Sequence, residues 1–190
     1  MKIFVSGSNT NVGKTYFCAL LSKYYKSMNK SVIYTKIIQT GYPIDDDAKA
    51  VFEASKVKTQ TLLFGEPPVA PYFLYETFPM DFVIDKINKS KADVNIIEGS
   101  GGLLVPLDKS LTFANLVELL NLETIIVVPN KLGCINDTLL NLHYCKTRGL
   151  NLRGFALNNF FFDGNDNLSA LQDLTNRAFV YKFKTELEVL

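Results

Sequence analysis

KIFVSGSNTNVGKTYFCALL, residues 2–21, decides the fold. A short apolar run, Ile3 to Val5, is followed at once by the glycine-containing stretch GSNTNVGKT, residues 7–15, and then by apolar residues at helical spacing, so the chain opens as strand, turn and helix. Backbone N–H groups of such a turn, with the unpaired N–H groups and dipole of the first helical turn, point at an anion. Gly13 permits close backbone approach, Lys14 supplies a mobile cation for terminal phosphates, and Thr15 offers a hydroxyl to a phosphate-bridging Mg²⁺. The spacing is a variant of the phosphate-binding loop: Ser8 occupies the first glycine position, and the nearest glycine, Gly7, lies one residue earlier.

With 190 residues, 47% apolar and 21% charged, the chain is long enough for one full core, and a single domain over 1–190 is expected. A formal net charge of +1, from 20 basic and 19 acidic residues, leaves no electrostatic footprint for nucleic acid or an anionic membrane, so an anionic ligand must be held locally. MKIFVSGSNT does not read as a secretory leader, and no later run approaches the roughly 20 apolar residues of a bilayer span. A cytoplasmic protein is expected. Cys18, Cys134 and Cys145 lack C-x-x-C spacing and His143 is the one histidine, which argues against a disulfide framework or a zinc site.

Short β-branched runs alternate with helical patterns along the chain. Strands are expected over Lys2–Ser6, Ser31–Ile38, Val94–Ile97, Thr124–Val128 and Leu152–Leu157, and helices over Lys14–Met28, Asp81–Ser90, Thr112–Leu120 and Ile135–Arg148. The strand runs are apolar on both faces, as buried parallel strands are. The pattern predicts an α/β fold, doubly wound, with a mainly parallel sheet covered by helices on both faces, and Pro67, Pro68 and Pro71 as a loop.

Ligands of such sheets lie outside the carboxyl ends of the strands. Four ends carry chemistry here. Lys36 to Gly41 close the second strand and precede Asp45, Asp46 and Asp47; Glu98, Gly99, Ser100, Gly101 and Gly102 follow the Val94 strand; KLGCIND, residues 131–137, follows the Thr124 strand; Asn158 and Asn159 follow the last. Glu98 faces the same edge as Lys14 and Thr15, where a carboxylate serves Mg²⁺; read alone, it would cap its glycine turn. The triple Asp offers one metal ligand or simply a solvated helix start. Lys36, beside Thr40 and Gly41, suits a developing anion better than a snorkelling surface role. Gly133, Cys134 and Ile135 present free N–H groups to a carboxylate or phosphate. His143 and Cys145 read as packing or surface residues.

GSNTNVGKT, YTKIIQTG, IIEGSGG, NKLGCIND and FALNN, in this order and spacing, resemble the ATP-dependent dethiobiotin synthetases, a family with a P-loop NTPase-like fold. The likeness covers Met1 to about Asn159. It implies closure of a cyclic urea from 7,8-diaminopelargonate and CO₂ in biotin biosynthesis, with ATP cleaved to ADP and phosphate. By matching motif positions, it implies that Asn11, Val12, Gly13, Lys14, Thr15 and Tyr16 wrap the phosphates, and that Thr15, Asp47 and Glu98 hold Mg²⁺. It also implies that Lys36 and Lys14 stabilise the transferred phosphoryl and the carbamate, with Lys36 catalytic. Glu98, Gly99, Ser100 and Gly101 would run along the nucleotide and metal, with Asn158 reading the adenine ring and Asn159 beside it. Thr40 would contact the diamine. Gly133, Cys134, Ile135 and Asn136 would receive its distant carboxylate on a helix of the partner subunit, which implies a homodimer.

Three departures stand out. Asn11 replaces an acidic residue common in the family, FPMD (Phe78 to Asp81) keeps only the proline of a substrate-side loop, and the usual proline- and glycine-containing segment after Asn159 is not recognisable. Relaxed base selectivity is the expectation that follows. The alternative reading is an ATP-switched partition or positioning ATPase on the same fold. Those proteins generally carry an extra lysine early in the loop, where this chain has Asn9, and basic DNA- or membrane-targeting segments, which are not evident here.

Overall fold

The computed structural model describes residues 1–165 and 167–190. One eight-stranded sheet runs in the order β3-β2-β4-β1-β5-β6-β7-β8. Its strands are β1 (Lys2–Gly7), β2 (Val32–Thr40), β3 (Lys58–Gly65), β4 (Val94–Glu98), β5 (Glu123–Pro129), β6 (Leu152–Asn158), β7 (Phe179–Phe183) and β8 (Leu187–Val189). All pairings from β3 to β7 are parallel, and β8 closes the edge antiparallel to β7.

Two apolar layers follow from the period of two along buried strands. Ile3, Val5, Tyr34, Ile96, Ile125 and Val127 pack under α1 (Lys14–Ser27) and α2 (Asp47–Ser55). The alternate residues Phe4, Ile97, Ile126, Val128 and Phe155 pack under α3 (Met80–Asn88), α4 (Phe113–Leu120), α5 (Cys134–Arg148) and α6 (Asn167–Leu174). The chain steps outward from β1 to β2 and β3, then returns through β4 and crosses to β5. Right-handed crossovers therefore place the first two helices on one face and the rest on the other.

The predicted strands and helices are present, with ends shifted by a residue or two. The structure adds α2, β3, α6, β7 and β8. β3 is half-buried along most of its length and begins polar, KTQT, as suits an edge strand. β7 alternates buried and half-buried residues, and a register shift opposite Phe155 and Ala156 turns Tyr181 and Phe183 to the α1 face, whereas Phe179 faces α6. Gly154 makes this possible: at φ +148° a side chain there would fall 2.5 Å from the Ala178 carbonyl oxygen.

Candidate active site

The carboxyl ends of β1, β2 and β4, with the starts of α1 and α2, enclose a cleft of about 620 Å³. Its first wall is the turn between β1 and α1. The Gly7 N–H donates to the Gly101 carbonyl at 3.0 Å and the Ser8 N–H to the Val127 carbonyl at 2.8 Å, tying the turn to the ends of its neighbours. A side chain at position 7 would meet the Asn9 carbonyl oxygen at 2.5 Å and Val12 Cγ2 at 2.8 Å, because the turn folds back over that residue. The variant spacing is thus explained: the glycine is needed at 7, and 8 is free to be serine. Asn11 and Gly13 both take left-handed backbone, φ 56° and 94°. Asn158, 2% exposed, pins the turn by donating from Nδ2 to the Val12 carbonyl at 2.9 Å, while its Oδ1 accepts from the Phe160 N–H at 3.0 Å. One amide N–H of Asn158 is left for another acceptor. Asn159 instead accepts from Asn130 Nδ2 at 2.8 Å.

Charge converges at the centre of the cleft. Glu98, fully buried, ends β4 directly opposite Lys36, which stands at the middle of β2 and not at its close as expected, because β2 runs on beside β3 to Thr40. Lys36 Nζ lies 2.7 Å from Glu98 Oε1 and 2.6 Å from Asp47 Oδ2. It also donates to the Gly99 carbonyl at 3.3 Å. Thr15 Oγ1 donates to Glu98 Oε1 at 3.1 Å, and the Tyr34 hydroxyl donates to Glu98 Oε2 at 2.8 Å. Burial works against the Lys36 charge, but the two carboxylates outweigh it and hold the ammonium pKa above its ordinary value. Lys14 lines the same cleft, and there burial prevails, drawing its pKa down. Burial, and then the Glu98 charge, push the Cys18 thiol and Tyr34 hydroxyl well up, so both stay neutral.

The three consecutive aspartates separate by role. Asp46 caps α2 by accepting from the Lys49 N–H at 2.9 Å, Asp47 pairs with Lys36, and Asp45 lies against Gly41 at the cleft wall. Gln39 Oε1 accepts from the Asp47 N–H at 3.0 Å and fixes the start of α2. The sequence pattern assigns no role to Gln39 or Tyr34. A tyrosine inside an apolar strand reads as core, and only the β2–β4 register reveals its partner.

Of the other predicted residues, Asn11, Gly13, Tyr16, Thr40, Ser100 and Gly101 line the cleft. Gly99 lies behind it against Phe4 and Phe113, and Val12 is buried in the core. Gly133, Cys134, Ile135 and Asn136 do not line it: they begin α5 beyond β5, with Gly133 as a left-handed N-cap and Cys134 buried, its N–H not free as expected but donated to the Lys131 carbonyl at 3.0 Å by the tight turn that starts the helix. The Tyr16 ring meets Phe160 edge-on, centroids 5.3 Å apart, and stacks near Phe183 at 6.4 Å. The chain after Asn159 therefore returns to the loop twice, with Phe160 exposed beside Tyr16 and Phe183 of β7 buried beneath it.

Among the described residues, no three of His, Cys, Asp and Glu cluster as a metal-only cage. The Thr15 hydroxyl with the Glu98 and Asp47 carboxylates is instead a partial, hard-oxygen set of the kind that would hold a cation such as Mg²⁺. No helix among the described residues is long and apolar enough to cross a membrane.

A family described as "AAA domain" matches residues 1–186. The ATP-dependent dethiobiotin synthetase of Clostridium kluyveri is 32% identical over 206 residues, covering 96% of this chain and 85% of that protein. The enzyme of the same name from Hydrogenobaculum is 30% identical over 176 residues, covering 86% and 79%. Among solved structures, FtsY of Mycoplasma mycoides aligns with a TM-score of 0.64 at 14% identity, over all of this chain and 64% of that one. A ParA family ATPase of Chlorobium tepidum aligns with a TM-score of 0.60 at 15% identity, over 97% and 84%. These structural likenesses show the fold alone, and it is the sequence relatives, 30–32% identical over most of both chains, that show the family: the chain belongs to the ATP-dependent dethiobiotin synthetases.

Proposed function

We propose that this cleft closes the ureido ring of dethiobiotin from 7,8-diaminopelargonate, CO₂ and ATP, as the chemistry of an ATP-dependent dethiobiotin synthetase requires. The observation that carries the reading is the meeting of two buried lysines, two carboxylates and one hydroxyl at the mouth of a phosphate-binding turn. One substrate amine adds to CO₂ and loses a proton to give a carbamate. The carbamate oxygen attacks the γ-phosphorus, ADP leaves, and a carbamic–phosphoric anhydride forms. The second amine then attacks the carbonyl carbon, and inorganic phosphate departs as the ring closes.

The turn Asn11–Tyr16 holds the phosphates, with Lys14 against the terminal ones. Lys36 bridges the phosphoryl and carbamate oxygens and offsets the charge that develops between them. Thr15, Asp47 and Glu98 would hold Mg²⁺, which when bound neutralises charge on the phosphate oxygens. Thr40, at the end of β2, faces the diamine. The nucleoside runs toward β6, where Asn158 has an amide N–H to spare and Tyr16 and Phe160 offer ring faces.

The helix start Gly133–Asn136, outside its own cleft, serves the cleft of a second subunit, with the Ile135 and Asn136 N–H groups on the substrate carboxylate. The enzyme is in this reading a cytoplasmic homodimer. The ATP-switch alternative shares the fold alone, as the 15% identity to the ParA family ATPase shows.

The test is to incubate the protein with 7,8-diaminopelargonate, bicarbonate, Mg²⁺ and ATP, following phosphate release and product mass. Dethiobiotin formed in step with phosphate, and only when the diamine is present, is the expected result. Diamine-independent phosphate release would overturn it.

A further inference from the structure

Tyr34 is a fully buried tyrosine in the first half of β2, with Ile33 and Thr35 on the other face of the strand and Lys36 two residues on along its own face. In the β2–β4 register, Lys36 stands opposite Glu98 and Tyr34 opposite Ile96, so Tyr34 reaches Glu98 diagonally. The two oxygens of Glu98 are thereby given different surroundings. Oε2 accepts from the Tyr34 hydroxyl at 2.8 Å, inside the layer under α1. Oε1 is turned to the cleft, with Thr15 Oγ1 at 3.1 Å and Lys36 Nζ at 2.7 Å.

A buried phenol gains nothing over phenylalanine unless its hydroxyl is paired, and here the pairing is to the one fully buried carboxylate of the site. We propose that Tyr34 is a positioning residue for the metal–nucleotide step: it fixes the Glu98 carboxylate so that Oε1 alone is presented to the cation beside Thr15. This rests on the reading of Glu98 as a metal ligand. A carboxylate on a flexible side chain can otherwise turn either oxygen, or both, toward a cation. Tying Oε2 inward removes that freedom before the nucleotide arrives. It also leaves Lys36 free to exchange Oε1 for phosphoryl oxygens without Glu98 following it. Hydrogen bonds that orient a ligating carboxylate typically change metal affinity by about 10–100-fold when lost.

Tyr34→Phe keeps the ring and removes only the hydroxyl. ATP affinity is measured by calorimetry with EDTA and with saturating Mg²⁺, and Mn²⁺ binding to the protein–ADP complex by electron paramagnetic resonance. For Tyr34→Phe the metal-free affinity should stay within about twofold of wild type, while the Mn²⁺ affinity falls about 10–100-fold. An unchanged Mn²⁺ affinity, or equal losses with and without metal, would reduce Tyr34 to packing and overturn the proposal. Glu98→Gln separates the two levels: if it too keeps wild-type Mn²⁺ affinity, the ligand reading of Glu98 has failed. If only Glu98→Gln loses affinity, the role of Tyr34 alone has failed. The double variant Tyr34→Phe/Glu98→Gln should bind Mn²⁺ no more weakly than Glu98→Gln, since one effect acts through the other. Additive losses in the double variant would also refute the proposal.

Discussion

Replacing Lys36 by methionine removes a charge from the centre of the site while keeping most of the side chain's apolar stem. Lys36 is 4% exposed and makes two ion contacts, at 2.6 Å and 2.7 Å. At an effective dielectric of about 20, each contact is worth roughly 6 kcal/mol before the cost of desolvating the ammonium is set against it. The net effect of deleting one partner of a buried pair is smaller, about 3–5 kcal/mol, because a charge is left without its counter-ion. Glu98, fully buried, is the group left in that state, whereas the Asp47 side chain is 27% exposed and regains water. For a chain of this size, such a loss lowers the unfolding temperature by roughly 6–20 °C. Mg²⁺ should recover part of that loss in Lys36→Met without nucleotide, since it supplies the missing positive charge between the same carboxylates. Wild type, already neutralised there, should respond little. Turnover should fall about 10²–10³-fold, the usual cost of one donor aimed at developing charge, with nucleotide binding retained. Thermal unfolding with and without Mg²⁺, and dethiobiotin formation at saturating ATP, read the two effects separately. A variant as stable as wild type would show that the ion pairs are not formed as described. Turnover within tenfold of wild type would remove Lys36 from the chemistry.

The aromatic rim of Tyr16 and Phe160 should stack any base, so ATP, GTP and CTP are expected to support turnover with kcat/KM values within about tenfold of one another, since each base has a π-face. A preference for ATP beyond a hundredfold counts against that rim, and Tyr16→Ala should weaken binding of all three alike. Gly13→Ala should abolish nucleotide binding and destabilise the fold, because its φ of 94° disfavours a side chain and the added Cβ collides with Asn158 Nδ2; calorimetry showing near-normal ATP affinity would contradict the turn geometry. Asp108 accepts from the N–H groups of Phe78, Ser110 and Leu111 at 2.8–2.9 Å and from the Ser110 hydroxyl, which hold its carboxyl down from 3.8 to about 2. A depressed carboxyl pKa adds stability that is complete above about pH 4 and is lost as pH falls toward 2. Asp108→Asn should therefore be less stable than wild type by about 1–3 kcal/mol at neutral pH, with the difference closing across that window in thermal melts. A pH-independent difference would mean that the charge is not what matters.

How much of this was legible in the chain differs by region for physical reasons. The buried parallel strands β1, β2, β4, β5 and β6 announce themselves because burial on both faces leaves apolar runs, and the carboxyl ends of β2, β4 and β6 then locate Thr40, Glu98 and Asn158 without any knowledge of packing, whereas Lys36 reaches the cleft from the middle of β2 because β4 ends opposite it. The edges do not. β3 is half-exposed along most of its length, and β7 changes face at a bulge that only Gly154 and its partner strand reveal. The site divides in the same way. Lys14, Thr15 and Glu98 are readable because a turn or a strand end fixes where they point. The separate tasks of Asp45, Asp46 and Asp47 depend on where α2 begins, which the Gln39 side chain sets from the end of β2. Tyr34 is the extreme case: nothing in IYTK distinguishes it from a core tyrosine, and its chemistry arises from a diagonal contact between residues 64 apart in sequence, Tyr34 with Ile96 in register and Glu98 two further on. Local pattern carries the residues that a loop or strand end aims at the ligand, while the residues that hold those in place are written in the register of the sheet.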